Sequence, residues 1–516
     1  MLTFSRLGQH GRLGNQCFQI ASMIGLSKKS NNPLALPKWQ YAPFFNYDIP
    51  VMPQKKFVKY SEPHFHYTDV ELKGDVDCIG YFQSEKYWSH CKDEVLKHLS
   101  FKEEYKDKVK EKYAHILSKQ TIAISIRRGD YVNNPNYYLL PIEYYITALL
   151  SFFPMWKAYN LVIFSDDSEY CKIHFGFLDN AYIIESKNPG QYFGVNENAI
   201  EQLCLMSLCD NFILSNSTFS WWGAYLANAK MVVRPEHYAA GKLKQEIDFK
   251  DHYPDNWIKH NHEGVKIWLR DVTFTVPVHF DHPDRMANLN LNVCYLLNTF
   301  DTNIIIGEQG SDKFGYMKAW CRYEKFEDKE FHRTRMLNVM AKMAQTNIIV
   351  NHDADVFIPP LQLLESVNMI RYEGSDMVYP YDGRFARIPR KYFKQIEQFM
   401  DVGYLYKERW LGTNPTDLMS VGGCILFDRE RFFDGGGENE KFISYGPEDV
   451  ERFERFTKLD FKVDRMKGCL YHIDHFRGTN SVSQNRFFKA NEKEYEKVHK
   501  MTKQELINYV KTELCH

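Results

Sequence analysis

What this 516-residue chain lacks narrows its class first. It has no CxxC pair and no tight cysteine framework; its eleven cysteines are scattered singly. An odd, unclustered set in a chain this long points to reduced thiols in a cytosolic compartment rather than to a disulfide scaffold. It has no run of about 18 consecutive apolar residues, so a membrane-spanning helix is not expected. Met1 to Gln16 holds Arg6, His10 and Arg12 and no apolar stretch, so a signal peptide is not expected there. It has no excess of charge of one sign. A net charge of −1 gives no global field for nucleic acid or an anionic membrane, so phosphate binding has to come from local Arg and His clusters. There is no internal repeat and no low-complexity tract.

What is present is ordinary globular material, 44% hydrophobic and 25% charged, in a chain long enough for about two or three domains. The aromatic fraction, 15%, suits either sugar-binding faces or a core, and the core carries more weight. Thr121 to Arg128, Asn160 to Ser165, Asn211 to Ser215 and Lys230 to Arg234 read as buried strands, each leaving into a polar turn. Gly14 to Lys29 carries Cys17, Ile20, Ala21 and Ile24 at helical spacing. Such alternation predicts a parallel α/β sheet with ligands at the carboxyl ends of its strands. The polar segment from Lys259 to Gly264 precedes a fresh strand at Val272 to Val278, which predicts two domains, 1–262 and 265–516. A second α/β series follows at Asn303 to Gly307, Asn347 to Val350, Met377 to Tyr379 and Gly423 to Phe427, and a charged, helical segment runs from Asn491 to the end.

Three clusters stand out in the front half. Arg127-Arg128-Gly129-Asp130 lies where a strand leaves the sheet. Two guanidiniums there suit a diphosphate, because Arg forks onto phosphate oxygens and stays charged; an Arg–Asp pair closing a turn uses the same residues. Ser215 to Ala224 runs from a strand through small hydroxyls and amides into Trp221-Trp222-Gly223, a turn that suits either an anion site at a helix start or plain N-capping. Gly11 to Gln16 is a Gly-rich turn opening the first helix. In this order, together with Gly80 to Tyr87, Phe164 to Asp167 and Tyr253 to Trp257, the clusters resemble the α-1,2-fucosyltransferases of glycosyltransferase family 11 over roughly residues 6–258. The resemblance implies a GT-B-like fold, GDP-fucose as donor, inversion at the anomeric carbon and no metal. It assigns Arg127, Arg128, Asp130, Asn216, Ser217 and Ser220 to the donor. The family usually has His two residues before the first of these arginines, where this chain has Ser125. The general base is left open between Asp130 and Asp166.

In the back half an apolar strand ends in Asp353-Ala354-Asp355. Residues two apart on an extended chain point the same way, so both carboxylates are expected to face one pocket and to suit Mn²⁺ or Mg²⁺ on a nucleotide diphosphate. An acidic turn after a strand is the plainer alternative. His472 and His475 add imidazoles, a set that would also fit Fe or Zn. Glu448-Asp449 follows Gly446-Pro447 at a helix start, where a carboxylate either complements the dipole or takes a proton from an acceptor hydroxyl. The order of these pieces, with Val276-Pro277, Arg285, Phe331 to Arg333, Leu337-Asn338 and Gly422-Gly423-Cys424, resembles GT-A transferases of the β-1,4-galactosyltransferase and chondroitin-polymerase type over roughly residues 268–490. That resemblance implies UDP contacts from Pro277, Arg285, Arg333 and Asp353, metal ligation by Asp355, His475 and His472, Asp449 as base and Glu448 as an acceptor contact. Pro447 replaces the Gly usual in those families.

The expectation is a two-domain α/β, bifunctional inverting glycosyltransferase with no nucleic-acid partner. The back half would transfer galactose or N-acetylgalactosamine from UDP in β linkage with Mn²⁺. The front half would transfer fucose from GDP-fucose, α-1,2, to a terminal β-galactose on an oligosaccharide or glycolipid. The alternative is one active transferase carrying a glycan-binding or docking module; a metal-dependent hydrolase would leave the whole front half without a role. The expected location is cytoplasmic, with at most peripheral contact with a membrane.

Overall fold

The computed structural model describes residues 1–187, 194–310, 312–404, 420–478, 480 and 482–514. The chain divides into two compact units, Met1–Lys172 with Asp179–Glu263, and Gly264–His516 with Ile173–Leu178.

The first unit holds two parallel sheets, a GT-B-like arrangement. β1 (Leu2–Thr3), β2 (Val58–Ser61) and β3 (Val76–Ile79) form a small sheet in the order β1-β3-β2. β4 (Thr121–Ile126), β5 (Asn160–Ser165), β6 (Ala181–Glu185), β7 (Asn211–Ile213), β8 (Met231–Pro235) and β9 (Ile258–His260) form the larger one, in the order β6-β5-β4-β7-β8-β9. The order runs outward from β4 in both directions, so a crevice opens between the carboxyl ends of β4 and β7.

β4 is buried along its whole length, so the alternation in its sequence does not mark an exposed face. A central parallel strand is covered on both sides, and Ser125 spends its hydroxyl on Ser215 at 3.2 Å. Lys259 and His260, read from sequence as linker, belong to edge strand β9, paired with Arg234 and Pro235. The helix Leu13–Ser30 is buried well beyond one stripe because the core packs around it. Phe18 lies against Trp88, Trp221 and Trp222, all fully buried, and each large apolar side chain so placed contributes on the order of 2–3 kcal/mol. The aromatic richness of this unit is spent mainly on its core.

The second unit has a seven-stranded sheet of β10 (Ile267–His279), β11 (Phe300–Gln309), β12 (Arg322–Phe326), β13 (Ile348–His352), β15 (Met377–Tyr379), β17 (Cys424–Asp428) and β18 (Val463–Arg465), in the order β12-β11-β10-β13-β17-β15-β18. β17 runs antiparallel to both neighbours and the other pairings are parallel. A second sheet orders β14 (Val356–Phe357), β16 (Phe385–Ile388) and β19 (Leu470–Ile473) as β14-β19-β16. β10 starts earlier than the run from Val272, because a register shift between Leu269 and Thr273, at Arg270-Asp271, separates the entry Ile267-Trp268-Leu269 from the continuously buried part. Among the described residues no helix is long and apolar enough to cross a membrane, and the ten described cysteines are all free.

Candidate active sites

In the first unit the turn after β4 reaches the crevice with its two arginines in different roles. Arg127 is partly open, with Nη1 2.6 Å from Asp166 Oδ2 and its other terminal nitrogen on Asp130. Asp130 also holds Arg12 at 3.0 Å. Burial opposes ionisation of Asp130, but Arg127 and Arg12 outweigh it and hold the carboxyl below its ordinary range. Arg128 turns inward: it is buried, donates from Nε to Asp167 at 3.0 Å and stacks 3.6 Å over the Tyr170 ring. The cations placed at the mouth are therefore Arg127 and Arg12, while Arg128 braces the β4–β5 turns.

The turn after β7 is built by its own side chains. Asn216 Nδ2 donates to the carbonyls of Tyr138 and Tyr238 at 2.8 and 2.7 Å. Ser217 caps the helix Thr218–Ala227 by accepting from Phe219 N, and Ser220 donates to Ser217 O at 3.1 Å. These three residues hold the loop in shape at the start of that helix. The first helix arrives at the same place because residue 14 has no side chain: a Cβ on Gly14 would lie 2.7 Å from Phe219 N. Asn15 Oδ1 then accepts from Thr218 Oγ1 and Gln83 Nε2 at 2.9 and 3.0 Å.

The second unit encloses a cleft of about 630 Å³ lined by Pro277, Arg285, Arg333, Asp353, Asp355, Glu448, Asp449, His472 and His475 among others. All nine residues expected from the sequence to act here converge on it. Pro277 is tolerated in a central strand because β10 pairs with β13 only as far as Thr275. Beyond that residue one flank has no ladder to interrupt, and the sheet opens into the cleft.

Asp353 and Asp355 share the pocket for a different reason from the one expected. β13 ends at His352, and both aspartates lie in the turn before β14 rather than on an extended strand. Asp353 receives Arg333 Nη2 at 2.9 Å. Burial and the charges of Asp355 and Asp449 push its carboxyl up against the pull of Arg333. Asp355 faces the imidazoles. β14 pairs with β19 so that Val356 lies opposite His472. His472 Nε2 is 3.6 Å and His475 Nε2 3.0 Å from the Asp355 oxygens. Burial opposes the Asp355 charge, but His472, His475 and Arg285 win and hold the carboxyl far below its usual range.

One carboxylate and two imidazoles, with ligating atoms all within 4.8 Å of one another, form a donor set that fits Mn²⁺ and other divalent ions. His472 Nδ1 is buried without a hydrogen-bond partner, so its ring is not committed elsewhere on that side. Arg285 Nη1 lies 2.9 Å from Asp355 and 3.1 Å from His475 Nε2, placing a cation at the same cluster.

Glu448 and Asp449 open the helix Glu448–Lys458 and are driven apart in acidity. Burial and the neighbouring Asp449 charge raise Glu448 to about 8. Asp449 is held below its ordinary value, since Arg333 at 3.4 Å and Arg452 at 2.8 Å outweigh its burial. Asp449 is thus the more acidic member of the pair and Glu448 the less acidic one. The carboxylate fits because residue 422 is Gly: a Cβ there would lie 2.4 Å from Asp449 Oδ2.

Comparison with known proteins matches these two regions separately. Residues 5–261 match the model of glycosyl transferase family 11, and residues 418–479 a model described as the N-terminal domain of galactosyltransferase. The chain is a glycosyltransferase. Its curated relatives include an Escherichia coli O-antigen biosynthesis glycosyltransferase, WbnK, 28% identical over 219 residues, covering 40% of this chain and 67% of that one. An E. coli α-1,2-colitosyltransferase is 28% identical over 209 residues, 39% of this chain and 67% of that one. The Sus scrofa galactoside α-(1,2)-fucosyltransferase 2 is 23% identical over 241 residues, 43% and 69%. The chain thus spans about two thirds of the length of these relatives. Among solved structures, the catalytic domain of Drosophila β1,4-galactosyltransferase 7 with xylobiose matches at 18% identity and a TM-score of 0.24, covering 38% of this chain and 65% of that one.

The transferase carries further residues at its sites that their types alone did not single out. Arg12 sits inside a noted Gly-rich turn, yet its ion pair with Asp130 spans 118 positions. Arg452 is fully buried and bridges Asp449 to Glu438, with Nη1 2.8 Å from Glu438 Oε1. Its signal was available: it lies three residues after Asp449 on one helix face. Glu438 had no comparable mark.

Proposed function

We propose that the chain is a bifunctional inverting glycosyltransferase whose two compact units support reading 1–262 and 265–516 as separately acting domains. The back half transfers galactose or N-acetylgalactosamine from a UDP-sugar in β linkage. The observation that carries this reading is the convergence of Asp355, His472 and His475 with the ionised Asp449 on one cleft. Arg333 and Asp353 orient the nucleotide, and Asp449 accepts the proton of the incoming hydroxyl. Glu448, protonated at neutral pH, donates a hydrogen bond that seats the acceptor. Charge neutralisation at the leaving diphosphate is what Mn²⁺ held by Asp355, His472 and His475 supplies.

The front half transfers fucose from GDP-fucose in α-1,2 linkage to a terminal β-galactose, a reading supported by the family 11 match and by the names of the α-1,2-transferring relatives. Arg127 and Arg12 meet the diphosphate at the β4–β7 crevice, beside the amides of the helix Thr218–Ala227, and no metal takes part. Where the sugar transferred by the back half is galactose, its β-linked product is what the front half takes, so one product feeds the other site. Free cysteines throughout the described residues support a reducing, cytoplasmic setting.

The test is donor turnover by the full chain with GDP-fucose and a panel of UDP-sugars, with and without Mn²⁺, on simple galactoside and N-acetylglucosaminide acceptors. Metal-independent consumption of GDP-fucose beside Mn²⁺-dependent consumption of one UDP-sugar is the expected result. Turnover of a single donor class reduces the chain to one transferase with a binding module.

A further inference from the structure

Asp449, the proposed base of the back cleft, has its two oxygens in different surroundings. Oδ1 receives Arg452 Nη2 at 2.8 Å and, at the longer distance of 3.4 Å, Nη1 of Arg333, which lines the cleft. Oδ2 makes no hydrogen bond among the described residues and lies over Gly422, part of the cleft wall, where a Cβ would collide with it. The Asp449 side chain is 29% exposed, whereas Arg452 behind it is fully buried. One oxygen is anchored from inside the protein and the other is open.

The anchor is itself fixed. Arg452 Nη1 donates to both oxygens of Glu438, at 2.8 and 3.0 Å, and Nη2 also donates to Val421 O at 3.1 Å, next to Gly422. Glu438 is buried and accepts from Asn351 Nδ2 at 2.8 Å; Asn351 Oδ1 accepts from Thr275 Oγ1 at 2.9 Å. Asn351 lies on β13 two residues before Asp353, and Thr275 on β10 two before Pro277. Asn338 holds the Glu438 backbone, accepting from its N at 2.8 Å and donating to its O at 2.9 Å. Gly437, at φ +59°, allows that approach, since a Cβ there would lie 2.6 Å from Asn338 Oδ1. One helical turn after Arg452, the buried Arg455 donates to Gly437 O at 2.9 Å and to Glu451 at 2.7 Å, tying the same turn to the helix. A buried chain of hydrogen bonds therefore runs from the strands that carry Pro277 and Asp353 to the base. A buried ion pair adds little net stability over an apolar pair of similar size. What the Glu438–Arg452 pair adds is a fixed direction.

We propose that Arg452, locked by Glu438, is the positioning residue of the back half's base: it pins Oδ1 of Asp449, so that Oδ2 is the atom that takes the acceptor proton. The inference rests on the reading of the back half as an inverting UDP-sugar transferase with Asp449 as base. In the step it describes, the acceptor hydroxyl gives its proton to Oδ2 as its own oxygen bonds to the anomeric carbon of the donor sugar. The bond from that carbon to the β-phosphate oxygen breaks, and its electron pair leaves with UDP. A guanidinium on one oxygen keeps the carboxylate charged and leaves the lone pairs of the other available. The charged and titratable groups that face Asp449 are Arg333, Asp353, Glu448, Tyr379 and Tyr381, with Glu438 behind Arg452.

The test uses the full chain with Mn²⁺, UDP-galactose or UDP-N-acetylgalactosamine, and phenyl β-N-acetylglucosaminide. Arg452→Lys keeps a charge but cannot reach Glu438, Val421 and Asp449 together. Its kcat should fall by about 10–10²-fold, with KM for the UDP-sugar changed by no more than about twofold. The double variant Arg452→Gln/Glu438→Gln removes both buried charges at once, so neither is left unpaired, and it carries the test if the lysine variant does not fold. The acid limb of its kcat/KM profile should lie about one pH unit above that of wild type, because Asp449 has lost its nearest cation. Glu438→Gln alone keeps Arg452 and removes its competing partner, so there the limb should move to lower pH. Transfer within about threefold of wild type in both the lysine and the double variant overturns the proposal. So does a slow double variant whose acid limb stays at the wild-type pH, for then the pair only staples the helix to the turn. A wild-type chain that transfers from neither UDP-sugar sinks the parent reading and this one with it, an outcome distinguishable because it precedes any variant.

Discussion

In the proposed reading the two units meet the same demand, a nucleotide diphosphate beside a deprotonated acceptor oxygen, with differently built charge clusters. The front crevice gathers fixed cations: Arg127 and Arg12 converge on Asp130 at the carboxyl end of a purely parallel sheet. The back cleft gathers anions and imidazoles: Asp353, Asp355, Glu448 and Asp449 with His472 and His475. A guanidinium carries its positive charge with it, and in the proposed reading the first site works without an ion. Clustered carboxylates repel one another and need imported or neighbouring positive charge, which in the second unit comes from Arg285, Arg333 and Arg452 and, when bound, a divalent ion. The contrast teaches that the groups placed to meet negative charge are chosen within each unit: arginine–aspartate pairs in one, a carboxylate–imidazole donor set in the other.

The strongest way to break this comparison is Asp355→Ala. It should lower Mn²⁺-dependent UDP-sugar turnover by about 10³-fold or more, the loss of the only carboxylate of the ligand set, while GDP-fucose turnover stays within about twofold; both rates are read on one preparation. Equal losses in the two would end the separation of the halves. Asp449→Asn should cost about 10²–10⁴-fold in the UDP-sugar transfer step with Mn²⁺ binding retained, measured by single-turnover rates beside calorimetry. Unchanged transfer would move the base elsewhere.

Arg127→Ala should cut kcat/KM for GDP-fucose by about 10²-fold, by loss of charge-assisted hydrogen bonds, and the defect should not be relieved by Mn²⁺. Relief by metal would mean that the front site also works with an ion. The smallest effect is on stability. Folding raises the Glu448 carboxyl from an ordinary 4.5 to about 8, so the folded state loses stability as pH climbs through that window. Glu448→Gln removes the titration. Its melting temperature should therefore exceed that of wild type by a few degrees above pH 8, the gain shrinking towards zero near pH 4.5. A gain that is the same at both pH values would place its origin in packing.

Much of the architecture was legible. The apolar runs of β4, β5 and β15 and the helix beginning near Gly14 follow from periodicity, since a buried strand or helix face must be written in apolar residues. Boundaries were less legible. Lys259 and His260 look like linker because an edge strand needs no apolar face, and Arg270-Asp271, which interrupt the apolar pattern of β10, disguised a strand of 13 residues. In the back cleft every expected residue arrives, because the chemistry of a diphosphate and an ion demands particular side chains in clusters. In the front crevice residue type alone did not separate the roles of Arg127 and Arg128. Adjacent positions point to opposite sides of the chain, and only the packing of Asp167 and Tyr170 shows which guanidinium is buried.

The sequence by itself determined the class of this protein: two unlike α/β halves, one marked by arginines and one by carboxylates and histidines, since hydrophobic period and charge type are local properties of the chain. The tertiary structure decided the assignments. It set Arg12 on Asp130 across 118 positions, His472 beside Asp355 through the β14–β19 pairing, and Arg452 under Asp449. Acidity, access and ligand geometry depend on which distant groups share a few ångströms, and strand pairing and helix packing bring those groups together.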